Sequence, residues 1–358
     1  PQLENPATKG WMVKMDSQTT DKPNNQSQAD KLWNWHPDLP ISISSIFVFP
    51  PNLYSIAKSL ASTWLVLSGR VVILIASIVS WLFFHPTLEQ CVDFKSGWIF
   101  EIYARNLIII TLFAGGLHLY FYTFKMQGNI LRFDSKDQVR ANSVFTFQNQ
   151  VRDNIFWSLA SGLTIWTVYE VLFMWAFANN LIPTLNWDSN QVWYVALFVL
   201  IPIWYSLHFY VTHRAEHWKP IYKLVHALHH RNINIGPWSG SSMHPIEHIF
   251  YIASPAIHLI VPSSPLHVIY HFQFTILAGI ISHTGYEALL IKGKRVIELG
   301  YFFHQLHHRF FDCNYGTGDM PWDKWFSTFH NGTTEATQAL RKKQAAQRLR
   351  KKKYLAAD

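Results

Sequence analysis

Cysteine is nearly absent: Cys91 and Cys313 are the two in 358 residues. That number excludes a disulfide-stapled scaffold, a cysteine-based zinc finger and a cysteine-ligated iron–sulfur cluster. No CxxCH occurs, so covalent c-type haem attachment is excluded as well. Charge is also scarce. Charged residues make up 15% of the chain, against about 25% in an average soluble domain. Together with 49% hydrophobic and 16% aromatic residues, this excludes a disordered chain and argues against an ordinary cytosolic domain. Mean hydropathy is only +0.04, because polar ends dilute an apolar middle. The residue present in excess is histidine, at 19.

The net charge of +8 is concentrated at one end. Residues 336–358 hold eight Lys/Arg (Arg341, Lys342, Lys343, Arg348, Arg350, Lys351, Lys352 and Lys353) against Asp358 alone. Such a run reads as a solvated, partly helical tail, or as a segment attracted to an anionic membrane surface. No basic patch interleaved with aromatics occurs elsewhere, so nucleic acid is not an expected partner.

Residues 1–42 are polar and read as a flexible lead-in, with a short amphipathic piece near Trp33 and Trp35. The basic–apolar–small pattern of a signal peptide is absent from the front. Four long apolar stretches follow, at 60–84, 106–124, 154–180 and 189–212, each near the roughly 20 residues that cross a hydrocarbon core. Arg70 is expected near a boundary, or between a short interfacial helix and a span. Glu170 is expected to hydrogen-bond inside the bundle. The loop between the second and third stretches carries Lys125, Arg132, Lys136, Arg140 and Arg152, while the next loop has no Lys or Arg. The positive-inside rule then makes the basic loop, the N-terminus and everything after the fourth stretch cytoplasmic. Two shorter apolar pieces, 249–261 and 266–282, are broken by Pro255, Pro262 and Pro265 and read as a re-entrant or interfacial hairpin. Trp166, Tyr169, Phe173, Trp204 and Tyr205 read as packing or lipid contacts. The expected organisation is a polar segment (1–42), a first hairpin with the basic loop (43–153), a histidine-bearing domain (154–334) and the basic tail (335–358).

Three histidine runs stand out: His213-Arg-Ala-Glu-His217, His226-Ala-Leu-His229-His230 and His304-Gln-Leu-His307-His308. On a helix, positions i, i+3 and i+4 share a face, so each run projects two or three imidazoles together. Neutral imidazole suits zinc, copper, iron and nickel. Eight such rings exceed the four ligands of one tetrahedral zinc and suit two metals. His36, His85, His118, His208, His258, His267, His271 and His330 read as individually satisfied polar residues. His213 to His217 also matches the HxxEH pattern of some metallopeptidases, with Glu216 as base, but that leaves both HxxHH runs unexplained. A membrane metal transporter would use the same imidazoles but would want polar ligands at mid-membrane.

The pattern HxxxH, HxxHH, HxxHH behind a four-span region resembles the fatty acid hydroxylase/sterol desaturase superfamily. The segments His230 to Gly240, Ser242 to His248, Asn314-Tyr-Gly and Trp322 to Phe329 resemble it too, and the likeness spans roughly residues 150–334. The resemblance implies an all-α integral membrane protein with about four transmembrane helices and a cytoplasmic helical cap carrying the histidine boxes. It implies two iron ions, dioxygen as co-substrate, and hydroxylation or desaturation of a lipid. The implied ligands are His213, His217, His226, His229, His230, His304, His307 and His308, with His283 as a ninth. His244, His248 and Glu287 stand as possible further ligands or as residues that hold the ligand rings or the fold in place. Glu216 and Asp312 stand as acceptors that could orient ligand imidazoles. The chain has neither GxGxxG nor His-Pro-Gly-Gly, so electrons are expected from a separate donor, a b-type cytochrome or a ferredoxin with its NAD(P)H reductase.

Overall fold

Apolar segments that meet hydrocarbon must close their backbone hydrogen bonds internally, and they do so here as helices. The structure, a computed structural model, describes residues 32–61 and 68–355. An eight-residue amphipathic helix α1 (Leu53–Leu60) precedes α2 (Gly69–Phe83). Helices α3 (Ser96–Thr123), α4 (Gln150–Ala178) and α5 (Gln191–Glu216) follow. A bent helical segment α6 (residues 219–230), α7 (Pro245–Tyr251) and α8 (Pro265–Ser282) come next. The antiparallel pair β1 (Ala288–Ile291) and β2 (Lys294–Glu298) then leads into α9 (Phe302–Phe310), and α10 (Thr334–Leu355) ends the described chain.

Four helices are long and apolar enough to cross a membrane: α3, α4, α5 and α8. The expected number is met with different members. The stretch 60–84 supplies only the 15-residue α2, about 22 Å long and short for a full crossing. Part of that stretch, 62–67, lies outside the described residues. The segment expected to be a broken hairpin forms the 18-residue α8, and all but three of its residues are buried. Pro265 sits at the first helical turn, where its missing N–H costs nothing, so it starts the helix rather than breaking it. The polar groups of α8 are paired inside the bundle. His267 Nδ1 lies 2.8 Å from Ser264 Oγ, His271 bonds Ser254 and His258, and Gln273 bonds Ser77 and Ser80.

Around α8 pack α2, α4 and α5. Glu170 of α4 pairs with Arg105 of α3, and Asn106 Nδ2 donates to the same carboxylate at 3.0 Å. The helix containing Arg105 begins ten residues before the apolar stretch does, and so carries a charge that the stretch lacks. Arg70 lies at the start of α2, after amphipathic α1, and pairs with Asp319. Residues 32–42 are not a loose lead-in: Trp33 is buried against Phe302, Phe133 and Leu306. Residues 1–31 lie outside the described part. The ends of α3, α4, α5 and α8 meet at one end of the bundle. There Tyr122 donates to Thr284 O (2.8 Å), Gln150 donates to Asn234 O (2.7 Å), and the basic loop is tied down by the Arg231–Asp153 and Arg309–Asp134 pairs.

Removing one partner of a buried ion pair strands a charge, at a cost of about 3–5 kcal/mol, whereas replacing both by apolar residues is often neutral. Glu170→Leu is therefore expected to cost about that much, and Arg105→Met/Glu170→Leu to recover most of it. Unfolding titrations in mixed detergent check this; a double variant as unstable as the single contradicts it.

Candidate metal centre

The helical period decides where each imidazole goes. His213 and His217 lie four residues apart at the end of α5, and so do His226 and His230 on α6. Both pairs join one group, completed by His307. His304 and His308, four apart on α9, join a second group with His229 and His283, the residue that caps α8. The ring three residues into each HxxHH run thus crosses to the other group. Within a group, the ligand atoms all lie within 4.8 Å of one another.

Backbone carbonyls set the ring orientations. His213 Nδ1 lies 2.6 Å from Tyr315 O, His283 Nδ1 2.7 Å from Gly279 O, and His307 Nδ1 2.6 Å from Cys313 O. His229 Nδ1 is 3.3 Å from Ser242 O, and His226 Nδ1 is 2.8 Å from Glu247 Oε1. A proton spent on these acceptors leaves the Nε2 lone pair facing inward. The Nε2 atoms then crowd together: His217–His230 at 3.1 Å, His307–His230 at 3.0 Å, His283–His308 at 3.0 Å and His304–His283 at 3.2 Å. His213 Nε2 is buried without a partner. Inward lone pairs from five and four imidazoles are a donor set that fits two divalent cations.

Local backbone features hold the carbonyls in place. Phe311, at φ +68°, turns the chain at the end of α9 so that Cys313 O returns to His307. The Asp323 carboxylate accepts from Tyr315 N and Gly316 N at 2.8 Å each, fixing the loop that serves His213. Gly240 presses on Gly279 so closely that a Cβ there would stand 2.2 Å from Gly279 O.

The fatty acid hydroxylase family pattern matches residues 198–328, which contain all nine clustered histidines. Residues 198–328 are a fatty acid hydroxylase domain. The likeness to the fatty acid hydroxylase/sterol desaturase superfamily is thus carried by this segment. It is 26% identical to a Delta(7)-sterol-C5(6)-desaturase of Nicotiana tabacum, over 67% of this chain and 84% of that protein. It is 34% identical to a Delta(7)-sterol 5(6)-desaturase of Gibberella zeae, over 35% of this chain and 38% of that one. Identity to methylsterol monooxygenase 1 of Gallus gallus is 30%, over 47% of this chain and 56% of the relative. No solved structure matches the chain significantly.

All nine histidines expected from the hydroxylase resemblance are brought together, including His283. The five accessory candidates divide. Glu216 stands 3.7 Å from His226 Nδ1, behind Glu247. His244 caps α7, accepting from Ile246 N at 3.2 Å, outside both groups. His248 is buried with Nδ1 2.9 Å from Ser161 Oγ, and it too stays outside them. Glu287 faces a separate cavity, because the chain turns away from the groups after His283. Asp312 does not orient an imidazole: it is exposed and accepts from Gln344 Nε2 at 2.7 Å, since the turn at Phe311 sends its side chain outward and offers the next carbonyl to His307 instead. Sequence reasoning missed Glu247. Its signal was a carboxylate three residues after the helix-capping His244, in His244-Pro-Ile-Glu247-His248, which reads as family likeness without a role.

A narrow cavity of about 40 Å³ adjoins both groups. Tyr205, Phe209, Phe274 and Met243 form its apolar walls, beside His213, His229 and His304. Of the aromatics read as packing, Tyr205 therefore faces the site.

Burial, reinforced by neighbouring imidazoles, holds His226, His230, His304, His307 and His308 well below the usual histidine range. Burial brings His229 down to about 4. A base whose folded pKa lies below its unfolded value of about 6.5 binds protons more readily when unfolded. The metal-free protein is expected to keep its stability above about pH 6.5 and to lose it as the pH falls toward 4. Glu247 acts in the opposite sense, burial and then Glu216 raising its carboxyl, but it is outnumbered by the imidazoles. Melting in detergent from pH 8 to pH 4, values of about one titration range, checks the sign; a melting temperature that rises on acidification contradicts it. Removing the acceptor that orients a ligand imidazole typically costs about 10–100-fold in metal affinity. Glu247→Ala is expected to show a loss of that size against a competing chelator; unchanged affinity would assign His226 its orientation from elsewhere.

Proposed function

We propose that this protein is a membrane-embedded, di-iron lipid oxygenase or desaturase, with the nine clustered histidines as ligands. The observation that carries the reading is the pair of imidazole groups, five and four, beside an apolar-walled cavity at one end of a membrane-length bundle. Two iron ions bound there supply the oxidising power, with dioxygen as co-substrate, to attack an unactivated C–H bond. The chain's own residues hold the ligand rings neutral, aim their Nε2 atoms inward and line the reaction space with Tyr205, Phe209 and Phe274, which excludes water. The apolar walls belong to α5 and α8, so a lipid reaches the site from within the bundle's own layer. The named relatives act on Delta(7)-sterols and methylsterols, and a sterol is the substrate class favoured here.

The basic loop and the histidine groups share one end of the bundle, and the positive-inside rule favours the cytoplasm for that end. Electrons come from a separate donor, a b-type cytochrome or a ferredoxin with its reductase. Basic α10 suits an anionic membrane surface. The metallopeptidase and transporter readings gain no support. His213 and His217 share five-ring surroundings rather than a three-ligand zinc site, and the groups lie at the bundle's end rather than its middle.

Lipid profiling of cells with and without the gene is expected to show a product heavier by one oxygen or lighter by two hydrogens. His229→Ala is expected to abolish that product while the protein remains in the membrane. Persistence of the product in the variant overturns the assignment.

A further inference from the structure

Two carboxylates face the back of one ligand ring. His226 Nε2 meets His217 Nε2 at 3.1 Å inside the five-ring group, while its Nδ1 faces Glu247 Oε1 at 2.8 Å and Glu216 Oε2 at 3.7 Å. The single Nδ1 proton goes to the nearer oxygen, because 3.7 Å is too long for a hydrogen bond. Glu216 Oε1 and Glu247 Oε2 are buried without a partner. The two residues are only 8% and 1% exposed. Among the described residues, no Lys or Arg pairs with either. Glu216 is also the last residue of α5, where the helix dipole disfavours a negative charge. Three carboxylate oxygens therefore converge in a buried space without a donor or a countercharge. Glu216, His226 and Glu247 form a third group whose possible ligand atoms lie within 4.8 Å of one another. Ligands on opposite sides of one ion stand about 4–5 Å apart. All three residues line the 40 Å³ cavity, and a water needs about 10–15 Å³, so there is room for a few.

We infer that Glu216 and Glu247 hold a third divalent cation, of the hard, oxygen-seeking class of Mg²⁺ or Mn²⁺, separate from the metals of the two imidazole groups. The ion takes the Glu216 carboxylate and Oε2 of Glu247, and waters in the cavity complete its shell. Mg²⁺ is commonly held in this manner, by one or two carboxylates with several waters retained. His226 keeps its Nδ1 proton on Glu247 Oε1, so its Nε2 stays free for the five-ring group. Ligand type keeps the sites apart, since imidazole suits zinc, copper, iron and nickel while carboxylate and water suit magnesium and manganese. The ion balances two buried charges, ties the end of α5 to α7, and fixes Glu247 as the acceptor that orients His226. Its role is positional. The inference is independent of the lipid-oxidation reading, because it concerns which ions bind and not what is oxidised.

The test uses the full chain in nanodiscs of phosphatidylcholine, whose zero net charge keeps Mn²⁺ off the lipid. Two equivalents of Zn²⁺ fill the imidazole groups without a magnetic signal, and Mn²⁺ is then added as the probe. Metal analysis is expected to give one Mn²⁺ beside two Zn²⁺ per chain, with excess Mg²⁺ displacing the Mn²⁺. The paramagnetic resonance of the bound Mn²⁺ is expected to lack the hyperfine coupling of a directly bound nitrogen. Glu216→Gln is expected to weaken Mn²⁺ binding by more than about tenfold, because the ligand charge falls from two to one. The same variant keeps both Zn²⁺, which reports that it is folded. Absence of Mn²⁺ beyond the two Zn²⁺ overturns the inference and leaves the two carboxyls to share a proton. Nitrogen-coupled Mn²⁺, or Zn²⁺ released as Mn²⁺ enters, overturns it as well, since the ion then sits among the imidazoles. Undiminished Mn²⁺ binding by folded Glu216→Gln does the same. The wild-type stoichiometry and spectrum decide the question without any variant.

Discussion

The structure depends on keeping nine clustered imidazoles, eight of them buried, neutral with their Nε2 atoms turned toward common points. Five of the rings, His213, His226, His229, His283 and His307, have an acceptor at Nδ1 that fixes tautomer and orientation. Carbonyls supply most of these acceptors, and a carbonyl stays put only where the backbone is pinned. The turn at Phe311, the Asp323 bonds to Tyr315 N and Gly316 N, and the contact of Gly240 with Gly279 each fix one such carbonyl. The helices contribute direction and the loops contribute acceptors, and neither suffices alone. This explains why so much of the domain outside the histidine runs is buried polar structure rather than apolar filling.

The same economy governs the membrane part. Its polar groups are matched in pairs and short chains: Arg105 with Glu170 and Asn106, Gln273 with Ser77 and Ser80, His271 with Ser254 and His258. An unmatched polar group in hydrocarbon costs far more than a matched one. The bundle can therefore carry a helix as polar as α8 at its centre, where other helices shield it from lipid, while α3, α4 and α5 show lipid their apolar sides.

Much of the site was legible in the sequence because helical spacing is a local property. The three runs, and the end of the bundle they occupy, follow from i, i+3, i+4 geometry and the position of the fourth apolar stretch. His283 was legible only through family likeness, since a lone histidine after an apolar segment has no spacing partner. Glu247 and the carbonyl acceptors were not legible, because they act through contacts between distant segments. The misreading of α8 has a definite cause. The apolar piece is shorter than a usual span, and Pro265, which reads as a breaker, is a helix start. Arg105 lies one residue before the apolar stretch but well inside the helix, which begins at Ser96, so apolarity alone does not place it in the bundle.

The crossing of rings between groups ties the two halves of the centre together. One peptide bond joins His229 to His230, and another joins His307 to His308, yet the members of each pair serve different groups. Rotation of α6 or α9 that improves one half must disturb the other. The centre therefore assembles as a single cooperative unit, and damage on either side is transmitted mechanically to its neighbour through two rigid helical turns.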